Sequence, residues 1–273
     1  MRIGKQDNNF TAIATSDSES ITVRGKDLCG ELIGKVGFTD YFFFLVTGQM
    51  PTETQRFFTD AVMVAIAEHG LVPSVQAARL TLAAAPEAVQ GAIAAGVLGM
   101  GSVVAGSSEV AGRFIAGLIE KAKASGRTYE EIAHDGLAEL KAKRQKAPGI
   151  GHPQHSGGDP RADVLMALAD EKGVSGDHIR MLRAMAAVAP KAMGRELPIN
   201  VSGAIPAVML DVGYPLGAMK GLPVLARTAS LIAHLFEEAQ RPIGFIMSNH
   251  ADLAIEYDGP LPAGAERKER QHG

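Results

Sequence analysis

An imidazole and a carboxylate, each set beside glycine, are the first groups in this chain that could move a proton. They are His69, in Glu68-His69-Gly70, and Asp159, near the end of the stretch Ala147 to Arg161 (Ala-Pro-Gly-Ile-Gly-His-Pro-Gln-His-Ser-Gly-Gly-Asp-Pro-Arg). In that stretch Pro148, Gly149, Gly151, Pro153, Gly157, Gly158 and Pro160 break helical and strand periodicity alike, so a bent loop is expected, with backbone N–H groups open to a ligand. His152 and Asp159 can then face a cleft. The same residues also read as an ordinary connection between helices, with Asp159-Pro160 starting the second helix as cap and first-turn proline. For His69, Gly70 suits a helix C-cap and puts the imidazole at or just beyond the negative end of a helix, where it either satisfies carbonyls or serves a reaction.

Arginines are the candidates for binding anions. Arg79, five residues after Ser74, is either an anchor for carboxylate or phosphate or half of a buried ion pair, and spacing leaves both readings open. Arg227, His234 and Glu238 follow one another at intervals of seven and four, which puts them on a similar face of one helix. Burying Arg227 between apolar residues requires an anion, supplied by a ligand carboxylate or by an internal Glu. No metal is expected: there is no His-x-x-x-His spacing, and the phosphate-binding Gly-x-x-x-x-Gly-Lys-Ser/Thr loop and the serine hydrolase elbow are missing too.

Helices must position these groups. The 273 residues suit one large domain with a smaller lobe, or two intimate domains. Phe10 to Val23 alternates apolar and small polar residues, as in an extended, hairpin-like start. From Asp27 onward helical periodicity dominates: Tyr41–Thr47, Pro51–Glu68, Ser74–Ala84, Pro86–Gly99, Ser108–Ser125, Tyr129–Lys146, Arg161–Lys172, Gly176–Lys191, Ala204–Val212, Leu222–Gln240 and a short tail near Ala251. A mostly α fold packed by small residues follows. The uncharged run Ala88 to Ser108 is long enough to cross a bilayer, but its five glycines make it weakly hydrophobic and suit a buried central helix instead. A net charge of −3 with dispersed Lys and Arg gives no stripe for nucleic acid. The single cysteine, Cys29, and an N-terminus without an apolar signal core fit a cytoplasmic protein.

Four motifs in order resemble the citrate synthase superfamily, and within it the short citryl-CoA lyase type. They are Val23-Arg24-Gly25-Lys26-Asp27-Leu28 with Leu-Val-Thr-Gly-Gln-Met-Pro-Thr (residues 45–52); Glu68-His69-Gly70 with Ser74 and Arg79; Gly149-Ile150-Gly151-His152 with Asp159-Pro160-Arg161; and Leu197-Pro198-Ile199-Asn200-Val201 with Arg227 and Arg241-Pro242. The resemblance covers about Ile21 to Pro260, and its third motif is the most specific. It implies a citrate-synthase-like helical fold: a large, dimer-forming domain (1–108 and 201–262), a small domain (109–200) closing over the CoA site, and a flexible tail (263–273).

The resemblance also implies a reaction: cleavage of citryl-CoA, or a similar 3-hydroxyacyl-CoA, into acetyl-CoA and oxaloacetate. His69 would donate a hydrogen bond to the thioester enolate oxygen, and Asp159 would exchange the proton at the acetyl methyl carbon. Gly149, Ile150, Gly151 and His152 would wrap CoA, the substrate carrier, with Lys146 and Arg144 near its phosphates; no tightly bound cofactor is implied. Arg79, Arg161, Arg227 and, from a second subunit, Arg241 would hold carboxylates of the keto-dicarboxylate, so a homodimer or dimer-based oligomer is implied, without nucleic acid or membrane. Two departures bear on the chemistry. Aligned on Gly101, Val104 stands where synthases carry the histidine serving the oxaloacetate carbonyl, and Pro153 stands where bacterial synthases commonly carry arginine. Valine cannot move a proton, which favours a lyase with His152 taking the hydroxyl proton. Citrate synthase activity and a non-catalytic CoA-binding paralogue are the alternatives, and a helical interaction protein without a CoA site is a third.

Overall fold

A computed structural model describes residues 9–101, 106–151 and 158–264. Its first elements are three short antiparallel strands, β1 (Ala14–Ser16), β2 (Ile21–Val23) and β3 (Lys26–Asp27), with Ala14 opposite Val23 and Val23 opposite Lys26. Arg24 and Gly25 make the second turn at φ 49° and 81°, the left-handed geometry that matches strand twist. The Arg24 Nη2 also donates to the Leu45 carbonyl at 2.7 Å, satisfying an open acceptor in the last turn of helix α1 (Phe38–Thr47). The extended start expected from Phe10 to Val23 is therefore present.

The rest is helical: a π-helical turn (Leu28–Leu32), α1, α2 (Glu53–Ala67), α3 (Pro73–Ala84), α4 (Val89–Leu98), α5 (Ser107–Ser125), α6 (Tyr129–Ala142), α7 (Pro160–Glu171), α8 (Asp177–Met193), α9 (Val201–Asp211), a 3₁₀ turn (Leu216–Ala218), α10 (Gly221–Gln240) and α11 (Gly244–Ala254). The mostly α class expected from periodicity is what forms. Boundaries shift where local hydrogen bonds decide them. Thr52 Oγ1 accepts the Gln55 N–H while the Gln55 side chain accepts the Thr52 N–H, so α2 begins after Pro51 rather than at it. Helix α6 stops four residues before Lys146, and Arg144 follows with φ 54°.

The run Ala88 to Ser108 is a correction. Among the described residues of the run, Val89–Leu98 is helical and capped by Gly99, Ser107 and Ser108 begin α5, and Leu98 is 85% exposed, so no long buried helix spans its described part. Repeated glycines explain the short length, each costing a helix interior about 1 kcal/mol relative to alanine. Residues 102–105 lie outside the described residues. No helix among the described residues is long and apolar enough to cross a membrane.

Packing divides the chain into two units. In the first, formed by the described residues up to Ala65 and by Ser107–Leu222, helices α5, α7 and α8 each pack on α9. Ala204, Ile205, Ala207, Val208 and Met209 are fully buried there, so α9 is the central rod of this unit. In the second, Ile66–Gly106 with the described residues from Pro223 onward, α3 packs on α4 and α11. Leu231 and Leu235 of α10 complete its core with Val75, Ala78, Leu82, Ala92 and Met100. These units follow from packing, whereas the expected division (1–108 with 201–262, and 109–200) concerns which segment closes over a ligand.

Candidate active site

In the first unit, the segment Gly149–Gly151 is sewn to the start of α9. Gly151 N–H donates to the Pro198 carbonyl at 2.6 Å, Asn200 N–H donates to the Gly149 carbonyl at 3.1 Å, and Ile150 forms a bridge with Ile199. Asn200 closes the arrangement: its amide nitrogen donates to the Gly151 carbonyl (2.6 Å), and its side-chain oxygen accepts the Gly203 N–H (3.1 Å), capping α9. Glycine is required because the backbones nearly touch. A Cβ on Gly203 would lie 2.3 Å from the Gly149 carbonyl oxygen, and Gly149 itself has φ 84°. The expectation that this loop keeps its N–H groups open is thus corrected at Gly151, whose N–H is used internally.

Asp159 caps α7 and is buried together with this loop. Its Oδ1 accepts the Arg161 N–H (3.2 Å) and Arg161 Nε (3.0 Å), and its Oδ2 accepts Arg161 Nη2 (3.0 Å) and the Val201 N–H (2.9 Å). Burial pushes the carboxyl up, but the Arg161 guanidinium and the two backbone N–H groups hold it below the ordinary carboxylate range. Asp159 is thus the cap of α7, one of the two readings of Asp159-Pro160-Arg161, and its buried carboxylate is engaged by Arg161.

The second unit holds His69 by its backbone. Helix α2 ends at Ala67, Gly70 turns at φ 70°, and Glu68 Oε1 accepts the N–H of both His69 (2.8 Å) and Gly70. Glu68 Oε2 accepts from Ser230 and from His234 Nε2 (3.0 Å), both on α10. On its other side His234 Nδ1 meets Arg79 Nη2 at 3.0 Å. Arg79 is 2% exposed; its Nη1 donates to Glu238 at 3.0 Å, and its Nη2 also donates to Glu237. Arg79 is therefore engaged as half of a buried ion pair, one of the two readings that spacing left open. Burial raises Glu68, but its bonds to Ser230, the Gly70 N–H, His234 and the His69 N–H leave it lowered overall.

Residues 56–244 match the family model of the citrate synthase C-terminal domain. The chain belongs to the citrate synthase family. A citrate synthase from Heyndrickxia coagulans is 26% identical over 208 residues, covering 74% of this chain and 52% of that one, so the chain spans about half the length of this curated relative. A citryl-CoA lyase structure from Hydrogenobacter thermophilus is similar over 97% of this chain and 98% of its own, at 29% identity and TM-score 0.80. An ATP citrate lyase structure from Methanothrix soehngenii, with citrate and coenzyme A, shares the fold over 97% of this chain and 44% of its own, at 22% identity and TM-score 0.74.

Within this citrate synthase fold the other expected site residues lie as follows. Arg227 is buried on α10, at 5% exposure. Arg241 follows α10 with its side chain 82% exposed, 3.9 Å from Glu237, and Lys146 is exposed. His152 and Pro153 lie outside the described residues, as does Val104. Sequence reasoning missed the role of Glu68 beside His69. The available signal was a carboxylate directly preceding a histidine at a helix end, where it can answer open N–H groups. It also passed over Ser230, and it named Asn200 within a motif without reading it as a cap residue placed just before an apolar run.

Proposed function

We propose that this protein is a CoA-dependent carbon–carbon lyase that cleaves citryl-CoA, or a similar 3-hydroxyacyl-CoA, to acetyl-CoA and oxaloacetate. The observation carrying this reading is the end-to-end likeness to a citryl-CoA lyase, 97% of one chain against 98% of the other, beside a curated citrate synthase of which the match covers only 52%. In this reaction the hydroxyl proton leaves, the carbon–carbon bond breaks, and its electron pair passes to the thioester as an enolate. His152 is assigned the hydroxyl proton, His69 the enolate oxygen, and Asp159 delivery of a proton to the carbon.

Asp159 must first be released from Arg161. A substrate carboxylate that draws the guanidinium away removes the side-chain bond and the charge by which Arg161 lowers Asp159, which raises its affinity for a proton. Arg161 then acts as both substrate ligand and switch, with Arg227 and a partner-donated arginine at position 241 holding further carboxylates in a homodimer. Arg79, engaged by Glu237 and Glu238, is left out of this set. Gly149, Ile150 and Gly151 are assigned to the CoA moiety, Lys146 to its phosphates, and 109–200 is the segment assigned to close over it.

The four hydrogen bonds that fill Asp159 favour a second reading: a paralogue that binds CoA without turnover. One assay separates them. The protein is incubated with citryl-CoA, and oxaloacetate is read by its coupled reduction with NADH. Cleavage supports the lyase, whereas saturable CoA binding without oxaloacetate supports the paralogue. Repeating the assay with other 3-hydroxyacyl-CoA thioesters defines the substrate.

A further inference from the structure

We infer that Glu68, Ser230 and His234 are positioning residues that fix His69 for its part in the reaction, an assignment that rests on the lyase reading above. The argument begins with an atom that can only donate. Arg79 offers N–H groups and no acceptor, so the His234 Nδ1 facing it at 3.0 Å and 3.3 Å must present a lone pair. The ring proton then sits on Nε2, directed at Glu68 Oε2 at 3.0 Å. Buried Arg79 in this way selects the tautomer of His234, and that tautomer lets His234 donate to Glu68.

Glu68 is consequently held from two directions. Its Oε2 receives Ser230 and His234 from α10, and its Oε1 receives the two consecutive N–H groups of His69 and Gly70. Although 52% of the Glu68 side chain remains open to solvent, four donors leave it little freedom to rotate. The α2–α3 turn carrying His69 is thus tied to α10 through one carboxylate. Arg79 is anchored in turn: its partner Glu238 also accepts the Ile243 and Gly244 N–H groups, at 2.9 Å and 2.7 Å. The line Glu238–Arg79–His234–Glu68 runs from the unit's interior to the backbone of His69, and a displacement anywhere along it shifts the imidazole.

The test uses the full chain with three variants: His234→Leu, which fills the space but can neither accept nor donate; His234→Gln, whose amide can accept from Arg79 and donate to Glu68; and Ser230→Ala. For His234→Leu, kcat in citryl-CoA cleavage falls about tenfold to a hundredfold, as for a small misplacement of a reacting group. Its KM stays within about twofold, and His234→Gln recovers kcat to within about threefold of wild type. Hydrogen exchange read on the peptide spanning residues 66–74 accelerates at His69 and Gly70 in His234→Leu, and less so in Ser230→Ala. Unchanged exchange in both variants overturns the inference, as does an unchanged kcat in His234→Leu. A wild-type protein that cleaves no hydroxyacyl-CoA defeats the lyase reading instead, and the exchange data alone then decide whether the line holds the turn. Should His234→Leu fail to fold, Ser230→Ala and His234→Gln carry the same two readouts.

Discussion

Gly203 and Gly149 lie back to back, so close that a side chain on the first would strike the carbonyl of the second, 2.3 Å from where its Cβ would sit. Through that contact the glycine loop rests on the first turn of α9, the same turn whose Val201 N–H is held by Asp159. Loop, cap and carboxylate therefore form one assembly in the first unit.

Replacing Gly203 with alanine must push the loop away from α9. Overpacking of this kind costs about 1–3 kcal/mol, and the expected result is a lower midpoint in thermal unfolding together with weaker CoA binding. An alanine variant that melts and binds CoA like wild type would show that the close approach is unimportant.

Asp159→Asn removes the charge opposite Arg161 and turns an amide toward donors. Breaking a buried pair in this way costs about 3 kcal/mol, to be measured by urea denaturation near neutral pH. Because the folded carboxyl is held below its unfolded value, its contribution to stability is present above that unfolded value, about 3.9, and is lost as pH falls through the lowered one. Wild type is expected to approach the variant's stability on acidification, and parallel pH profiles would count against this.

Arg79→Met leaves Glu238, only 3% exposed, as a buried charge without its cation, and about 3–5 kcal/mol of destabilisation is expected. The double variant Arg79→Met/Glu238→Gln should recover part of that loss. A single variant with unaltered stability and a raised KM would instead return Arg79 to the role of substrate ligand.

How much of this was legible in the sequence depended on range. Helices were readable wherever the apolar period was clear, as in α8 and α10, and the fold class followed. The ends of α2 and α6 were less so, because the Thr52–Gln55 reciprocal bonds and the reversal at Arg144 are single-residue events. The glycines and Asp159 of the signature loop announced an unusual backbone, yet spacing could not show that Asn200 and Val201, about forty residues on, would consume its polar groups. Arg79 stayed ambiguous for the same reason, since its partners Glu237 and Glu238 sit more than 150 positions later and meet it only through packing of α10.

The central claim is that His69 and Asp159 serve the carbon beside a thioester. It is tested most directly by incubating the protein with acetyl-CoA and oxaloacetate in D2O and following deuterium at the acetyl methyl group by NMR. Wild type should incorporate deuterium, while His69→Ala and Asp159→Asn, at a temperature where circular dichroism shows each folded, should not. Exchange that persists in both variants, or that never occurs in wild type, contradicts the account.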